Sequence, residues 1–514
     1  MPDTDHRASE AHLPDPGRWK ALVFIALAQL MVVLDATIVN IALPSAQRDL
    51  GISDGDRQWV VTAYALAFGG LLLFGGRIAD LWGRKRAFLV GLVGFALASA
   101  LGGAAVDGAM MFGARALQGV FGALLAPAAL SLLAVTFVDA RERAKAFGIF
   151  GAIAGGGGAV GLILGGFLTE YLDWRWTFYI NIPVAVVAAV GGWSFVREPR
   201  AGRDRDPLDV PGVVLSTLGL VALVYGFTRA ESAGWGDGGT IGVFVASAVL
   251  MSAFVVVEAR AKAPLLPLRV VTERNRGGVY LSLGLAVIAL FGLFLFLTYY
   301  LQVVKGYSPL LTGFAFLPMT AAVVTGSTQI GTRLMTRVAP RLLMGPGFLV
   351  AAVGMLLLTR LEVDSSYAGL LLPAMLLLGL GMGTAFMPAM SLATQGVEAR
   401  DSGVASAMVN TSQQVGGAIG TALLNTIAAS ATTSYVAERM ASADTPERRR
   451  ALELDGMVHG YTGAIWASLV ILVAASVIAL ALVDAGRPRR DGDRAEPAGE
   501  PDGVRGTAAP VAAH

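Results

Sequence analysis

The sequence contains no cysteine. A disulfide framework, a thiolate nucleophile and a cysteine-built zinc site are therefore all excluded. Histidine is almost as scarce, and the four that occur, His6, His12, His459 and His514, stand in polar segments, so no histidine relay runs through the apolar part of the chain. Charge is sparse as well. Asp, Glu, Lys and Arg make up 15% of the 514 residues, against about 25% in a typical soluble domain. No glycine is followed by lysine, which removes the phosphate-cradling G-x-x-x-x-G-K-[ST] loop of a nucleotide-driven pump. A net charge of +2 gives no reason to expect a nucleic-acid partner.

What is present is apolar. Residues of hydrophobic type make up 55% of the chain, which reads as an all-α, multi-pass membrane protein partnered by the lipid bilayer. At about 20 apolar residues per spanning helix, fourteen segments qualify, near 20–43, 58–76, 87–106, 109–136, 146–168, 178–196, 209–228, 240–259, 279–302, 311–332, 341–360, 367–390, 403–429 and 461–483. The first is longer than a signal-peptide core and is expected to be retained as a span. Most Lys and Arg then fall on the side of both termini, which the positive-inside rule makes the cytoplasmic side of the cell membrane. The expected organisation is a disordered cytoplasmic N-terminus (1–18), a six-helix bundle (19–200), two inserted transmembrane helices (201–265), a second six-helix bundle (266–485) and a disordered cytoplasmic tail (486–514). The outer segment 430–460, containing "ERRRALELD", reads as a solvated loop with room for a short amphipathic helix. Tyr299 and Tyr300 fall near the outer interface, where aromatic side chains commonly anchor a span.

Two charges stand inside the apolar runs. "MVVLDATIVNIALP" (31–44) places Asp35 near the middle of the first span, at an insertion cost of about 2.5 to 3.5 kcal/mol. Arg115, early in the fourth span, is the one basic residue expected within a helix. No His, Cys or carboxylate cluster is expected within the spans, which argues against an enzyme and against a metal site. Between spans 2 and 3, "GGRIADLWGRKRAFL" (75–89) fits G-x-L-A-D-x-x-G-R-K through Gly76, Asp80, Gly83, Arg84 and Lys85, with Ile78 in place of Leu. Its glycines permit a tight turn and close helix approach. Asp80 is placed to pair with a cation or a helix N-terminus in one conformation and release it in another.

On this loop, together with "LDATIVNIALP" (34–44), "RALQGVFGA" (115–123) and "WRWTFYINIP" (174–183), the chain resembles the major facilitator superfamily, in particular its fourteen-span drug:proton antiporters. The resemblance covers roughly residues 18 to 485. It implies two six-helix bundles plus two additional central helices, built as parallel repeats. It also implies a monomer that exports amphipathic small molecules such as drugs and antibiotics by alternating access, with a proton gradient as energy source and no cofactor. Other readings are a dedicated exporter of one endogenous metabolite or lipid, and a channel-like carrier without proton coupling.

Under that resemblance the loop at Gly76, Asp80, Gly83, Arg84 and Lys85 is the conformational switch. Its repeat, "TRLMTRVAPR" (332–341), aligns Met335 with Ala79 and lacks both the Asp and the second Gly, so it serves packing and topology. Gly148, Gly161, Gly165 and Gly166 of the fifth span resemble the exporter motif but lack its proline, since Leu162 follows Gly161; close helix packing is the other reading. Tyr64 and Gln118 lie near the first two sites in the family layout, and Asn410, Gln413 and Gln414 share one face of the penultimate span. All five are candidate substrate-cavity residues, although the last three would equally make interhelical hydrogen bonds. Asp35 and Arg115 are candidates for proton coupling, with substrate and proton competing around them, or for a fixed pair that holds helices in register. A single membrane acid favours neutral, zwitterionic or singly charged substrates.

Overall fold

A computed structural model describes residues 17–137, 140–196, 209–261, 264–335, 337–394, 402–442 and 445–484. Among them the structure consists of helices and turns, without a strand. Fourteen long helices follow one another: α1 (Arg18–Leu50), α2 (Trp59–Trp82), α3 (Arg84–Gly103), α4 (Gly108–Thr136), α5 (Ala140–Tyr171), α6 (Trp176–Phe195, broken at Ile180), α7 (Val210–Ala233), α8 (Gly238–Arg260), α9 (Arg274–Tyr299), α10 (Pro309–Thr325), α11 (Arg341–Leu358), α12 (Leu372–Thr394), α13 (Ser402–Arg439) and α14 (Pro446–Leu482). Each expected span falls on one of them. Twelve are long and apolar enough to cross a bilayer, while α2 contributes the shorter apolar stretch Trp59–Leu72. Both expected tails lie almost wholly outside the described residues.

Local chemistry sets the helix ends. Where the chain leaves the apolar zone, a short acceptor side chain takes up an orphan amide. Asp107 accepts from Met110 N at 2.8 Å, Ser308 from Leu311 N at 3.3 Å and Thr445 from Arg448 N at 3.2 Å. The bodies of the helices expose apolar side chains outward, as Ile241, Val245 and Val249 do on α8. In water such faces would be aggregation sites; in lipid they are the solvated surface.

The helix pairings repeat. In the first six helices α1 packs on α5 and α6, and α4 packs on α2 and α3. In the last six α9 packs on α13 and α14, and α12 packs on α10 and α11. The halves meet through α2 against α13 and α5 against α10, two contacts that exchange under the same repeat. Helices α7 and α8 form a hairpin between the halves, docked through α7 on α2 and α13. Close approach rests on glycine at the α5 contacts. A Cβ at Gly161 would overlap Thr37 of α1, one at Gly165 would lie 3.1 Å from the Ile38 backbone, and one at Gly166 would lie 2.6 Å from Leu310 Cα of α10. Three of the four motif glycines therefore have packing work to do, within the first half and across to the second. Gly148 lies outside what the structure describes beyond its helical backbone.

Two expectations are corrected. The segment 430–460 is not a loop: α13 runs 38 residues and α14 runs 37, so the pair continues as a helical hairpin well past the apolar zone. Gly460 against Ala428 and Gly456 against Val436 allow that close contact. Polar composition alone looked like a loop, yet two helices that close on each other need no lipid. Tyr299 and Tyr300 are not interfacial anchors either. Both are buried, the first donating its hydroxyl to Gln47 Oε1 and the second donating to the Glu362 carbonyl at 2.7 Å.

Candidate functional site

Asp35 and Arg115 meet inside the first half. Arg115 Nη1 donates to Asp35 Oδ2 at 2.6 Å, with both side chains sealed from solvent. The other carboxylate oxygen, Oδ1, accepts from Gln118 Nε2 at 2.8 Å and from Asn181 Nδ2 at 2.9 Å. Ser99 Oγ accepts from the same two amides, at 2.8 and 3.3 Å. Arg115 is anchored further, by Nε to the Val60 carbonyl at 2.8 Å and by Nη1 to Gln118 Oε1 at 2.8 Å. Its guanidinium lies 4.4 Å from the Tyr64 ring centroid and 5.9 Å from that of Phe178. Five helices, α1, α2, α3, α4 and α6, thus meet in one polar cluster, of which α4 and α6 bond the carboxylate itself.

The local sequence explains the convergence. Arg115 and Gln118 are three apart on α4, so they share a face. Asn181 opens the second piece of α6, just after Ile180, and its side-chain amide reaches Asp35 and Ser99. The carboxylate has one cationic and two amide donors, so the lone pairs it turns away from solvent are met by protein hydrogen bonds.

Of the expected cavity residues, Tyr64 and Gln118 are buried within the first half, where Gln118 bonds both members of the ion pair and Tyr64 offers its ring to Arg115 while its hydroxyl has no hydrogen-bond partner. Asn410 is exposed and Gln413 and Gln414 are half-buried on α13. Gln414 packs against Gly69 of α2, at the boundary between the halves. Sequence reasoning missed Asn181 and Ser99, although "WRWTFYINIP" already contained the first. Among the switch-loop residues, Gly83 joins α2 to α3 alone at φ 113°, a conformation that suits only glycine. Lys85 donates to the Trp193 carbonyl at 2.7 Å, capping α6 within the same half. A Cβ on Gly76 would rest on Pro127 at 3.5 Å, Arg84 begins α3 half-buried, and the Asp80 side chain lies outside what is described. The repeat begins with a helical turn, Thr332–Met335, with Thr336 outside the described residues.

Glu258, on the last turn of α8, is 3% exposed and meets Asp209 at the start of α7. Its place at the end of an apolar run disguised it as an interfacial charge.

At the face opposite the termini the halves are locked together. Arg57, from the α1–α2 connection, is buried; its Nε donates to Asn425 Oδ1 at 3.3 Å and its guanidinium stacks 4.1 Å from the Tyr299 ring centroid. Gln302 Nε2 donates to the Ile41 carbonyl at 3.0 Å, and the Leu310 amide donates to Glu170 Oε2 at 3.0 Å. All of these bonds join one half to the other.

A family model described as Major Facilitator Superfamily matches residues 25–421. The chain is 55% identical, over 92% of both lengths, to the puromycin resistance protein pur8 of Streptomyces alboniger. It is 38% identical to the cephamycin export protein CmcT of Amycolatopsis lactamdurans, over 81% of this chain and 86% of that one. With the tetracenomycin C resistance and export protein of Streptomyces glaucescens it shares 35% identity, over 86% and 82%. In fold it is similar to a bacterial homolog of the human lysosomal transporter Spinster in an inward-facing and occupied conformation, with TM-score 0.65 and 16% identity over 90% and 96% of the two chains. The POT family transporter PepTSo gives TM-score 0.63 and 15% identity over 89% and 98%. On the family model, these relatives and the paired six-helix halves, the chain belongs to the Major Facilitator Superfamily and is a membrane-embedded transporter of small molecules, not an enzyme.

Proposed function

We propose that this transporter exports amphipathic antibiotics or related small molecules across the cell membrane, in exchange for protons, by alternating access. The observation that carries the coupling is the Asp35 carboxylate, held by Arg115, Gln118 and Asn181 from two other helices. The substrate class draws support from relatives named for resistance to puromycin and for export of cephamycin and tetracenomycin C. With both termini cytoplasmic, as the positive-inside rule favours, the locked face is external.

In this scheme a proton reaching Asp35 discharges the carboxylate and loosens its bonds to α4 and α6. α1 is then free to shift against α4, and because α1 packs on α5, which contacts the other half, the shift reaches the boundary between the halves. Each proton moving down 100 mV supplies about 2.3 kcal/mol, enough for more than a tenfold substrate gradient. Substrate contacts fall to the α13 face of Asn410, Gln413 and Gln414, and the monomer is the working unit.

The test is Asp35→Asn in sealed vesicles. Proton-driven substrate accumulation is expected to vanish while substrate counterflow, which needs no gradient, persists. Coupled accumulation at the wild-type rate would overturn the assignment. The complete burial of the pair favours a second reading, a fixed structural bridge; under it Asp35→Asn impairs accumulation and counterflow alike.

A further inference from the structure

The inserted hairpin carries a second buried acid that the mechanism above does not use. Glu258, near the end of α8, is 3% exposed. Its Oε2 accepts from the Leu266 amide at 3.0 Å, in the connection that leads to α9. Asp209, which caps α7, accepts from the Gly212 amide through Oδ1 at 2.9 Å. The remaining oxygens, Asp209 Oδ2 and Glu258 Oε1, are buried, and neither has a donor. They converge over Gly212: a Cβ there would lie 2.6 Å from each of them.

Two ionised oxygens do not sit face to face in a buried site without a proton or a cation between them. Among the described residues no cation makes an ion pair with either group. Arg260, two positions beyond Glu258, is exposed. Ser216 donates its hydroxyl to the Gly212 and Val213 carbonyls instead. α2 and α13 meet α7 through an apolar cluster in which Ala65, Leu66, Ala418 and Ala422 face Leu220 and Val224.

We infer that Asp209 and Glu258 bind one proton between them, as a carboxylic acid–carboxylate clasp at the base of the inserted hairpin. The proton sits between Glu258 Oε1 and Asp209 Oδ2, and the pair carries a single negative charge. The clasp joins the start of α7, the end of α8 and the connection to α9, the points where the hairpin leaves one half and enters the other. Loss of the proton places two like charges in contact and frees Leu266 and the first turn of α7. The hairpin thereby gains a proton-dependent attachment on the side of the termini, independent of Asp35.

Infrared spectra of the full chain in lipid nanodiscs, recorded as the pH is raised, test this. At neutral pH the wild type is expected to show a protonated-carboxyl C=O band that disappears in both Glu258→Gln and Asp209→Asn and remains in Asp35→Asn. Exchange of the Leu266 amide is expected to accelerate at least tenfold beyond its intrinsic pH trend once the band is lost, and to follow only that trend in Glu258→Gln. Gly212→Ala, whose methyl would wedge the oxygens apart, is expected to abolish the band. Absence of the band from the wild type at neutral pH overturns the inference, as does its survival in both amide variants; the wild-type spectrum decides should the variants fold poorly. Survival of the band in Asp35→Asn, alongside lost accumulation there, keeps this result separate from the fate of the coupling proposal.

Discussion

The two six-helix halves pair their helices alike and fill their centres differently. At the alignment that sets Met335 on Ala79, Asp35 of the first half corresponds to Phe291 of the second, whose ring rests on Gly417. The second half around it is a continuous apolar core including Leu293, Phe296, Met375 and Leu378. Equal topology therefore needs no buried charge. The ion pair of the first half costs desolvation that the second half avoids, so its retention calls for a function that packing cannot supply. That contrast is what makes Asp35 a candidate for coupling and leaves the second half as the frame against which it works.

The largest expected effect comes from breaking the pair on one side only. Arg115→Leu leaves Asp35 buried beside amides but without its cation, and should destabilise the first half by about 3 to 5 kcal/mol. Thermal melting in detergent checks this, and the double variant Asp35→Asn/Arg115→Leu should recover much of the loss without recovering proton-driven transport. A recovery of coupling would erase the distinction between the halves. In the second half, Phe291→Leu should cost about 1 kcal/mol or less and leave the pH dependence of transport unchanged. A shifted pH profile would show that the halves share the charge-reading task.

A smaller effect concerns the bonds that join the halves. Tyr299→Phe removes the hydroxyl bonded to Gln47 and should cost about 1 kcal/mol, moving the balance severalfold toward the conformer open at that face. Because the chain has no native cysteine, spin labels on two introduced thiols, one at Ser53 and one at Thr432, would report the distance directly. An unchanged distribution would show that the lock lies elsewhere. Smallest is the turn of the inserted hairpin. Asp237 caps α8, and its carboxyl is held below the ordinary range, chiefly by the Thr240 amide, against some desolvation, and by Arg229. A depressed carboxylate stabilises above its unfolded pKa and loses that contribution as the pH falls through the folded value. Acidification past the usual carboxylate range should therefore raise exchange at the Thr240 amide, and Asp237→Asn should flatten that response.

How much was legible in the sequence follows from which signals were physical extremes. Asp35 and Arg115 stood out because ionised side chains are rare in apolar runs. Their partners did not: Asn181 and Ser99 are small and neutral, and nothing in a linear pattern reveals that α6 and α3 aim them at one carboxylate. The Asp209–Glu258 contact brings together residues at the first and last turns of the hairpin's sequence, where each looks like an ordinary interfacial acid. Tyr64 and Gln118 were singled out correctly as polar groups on spans, yet the side of the helix they face is settled by tertiary packing. The helical continuation of α13 and α14 was hidden for the opposite reason, since solvated helices share their composition with loops.

That continuation has a mechanical consequence. At 1.5 Å per residue, the 38 residues of α13 make a rod of about 57 Å, well beyond the roughly 30 Å of hydrocarbon. The same rod touches α2 of the opposite half near Gly69 and bonds Arg57 through Asn425. A torque applied at its protruding tip acts through a long arm upon a short one, so a modest tug there would pry or clamp the contact between the halves.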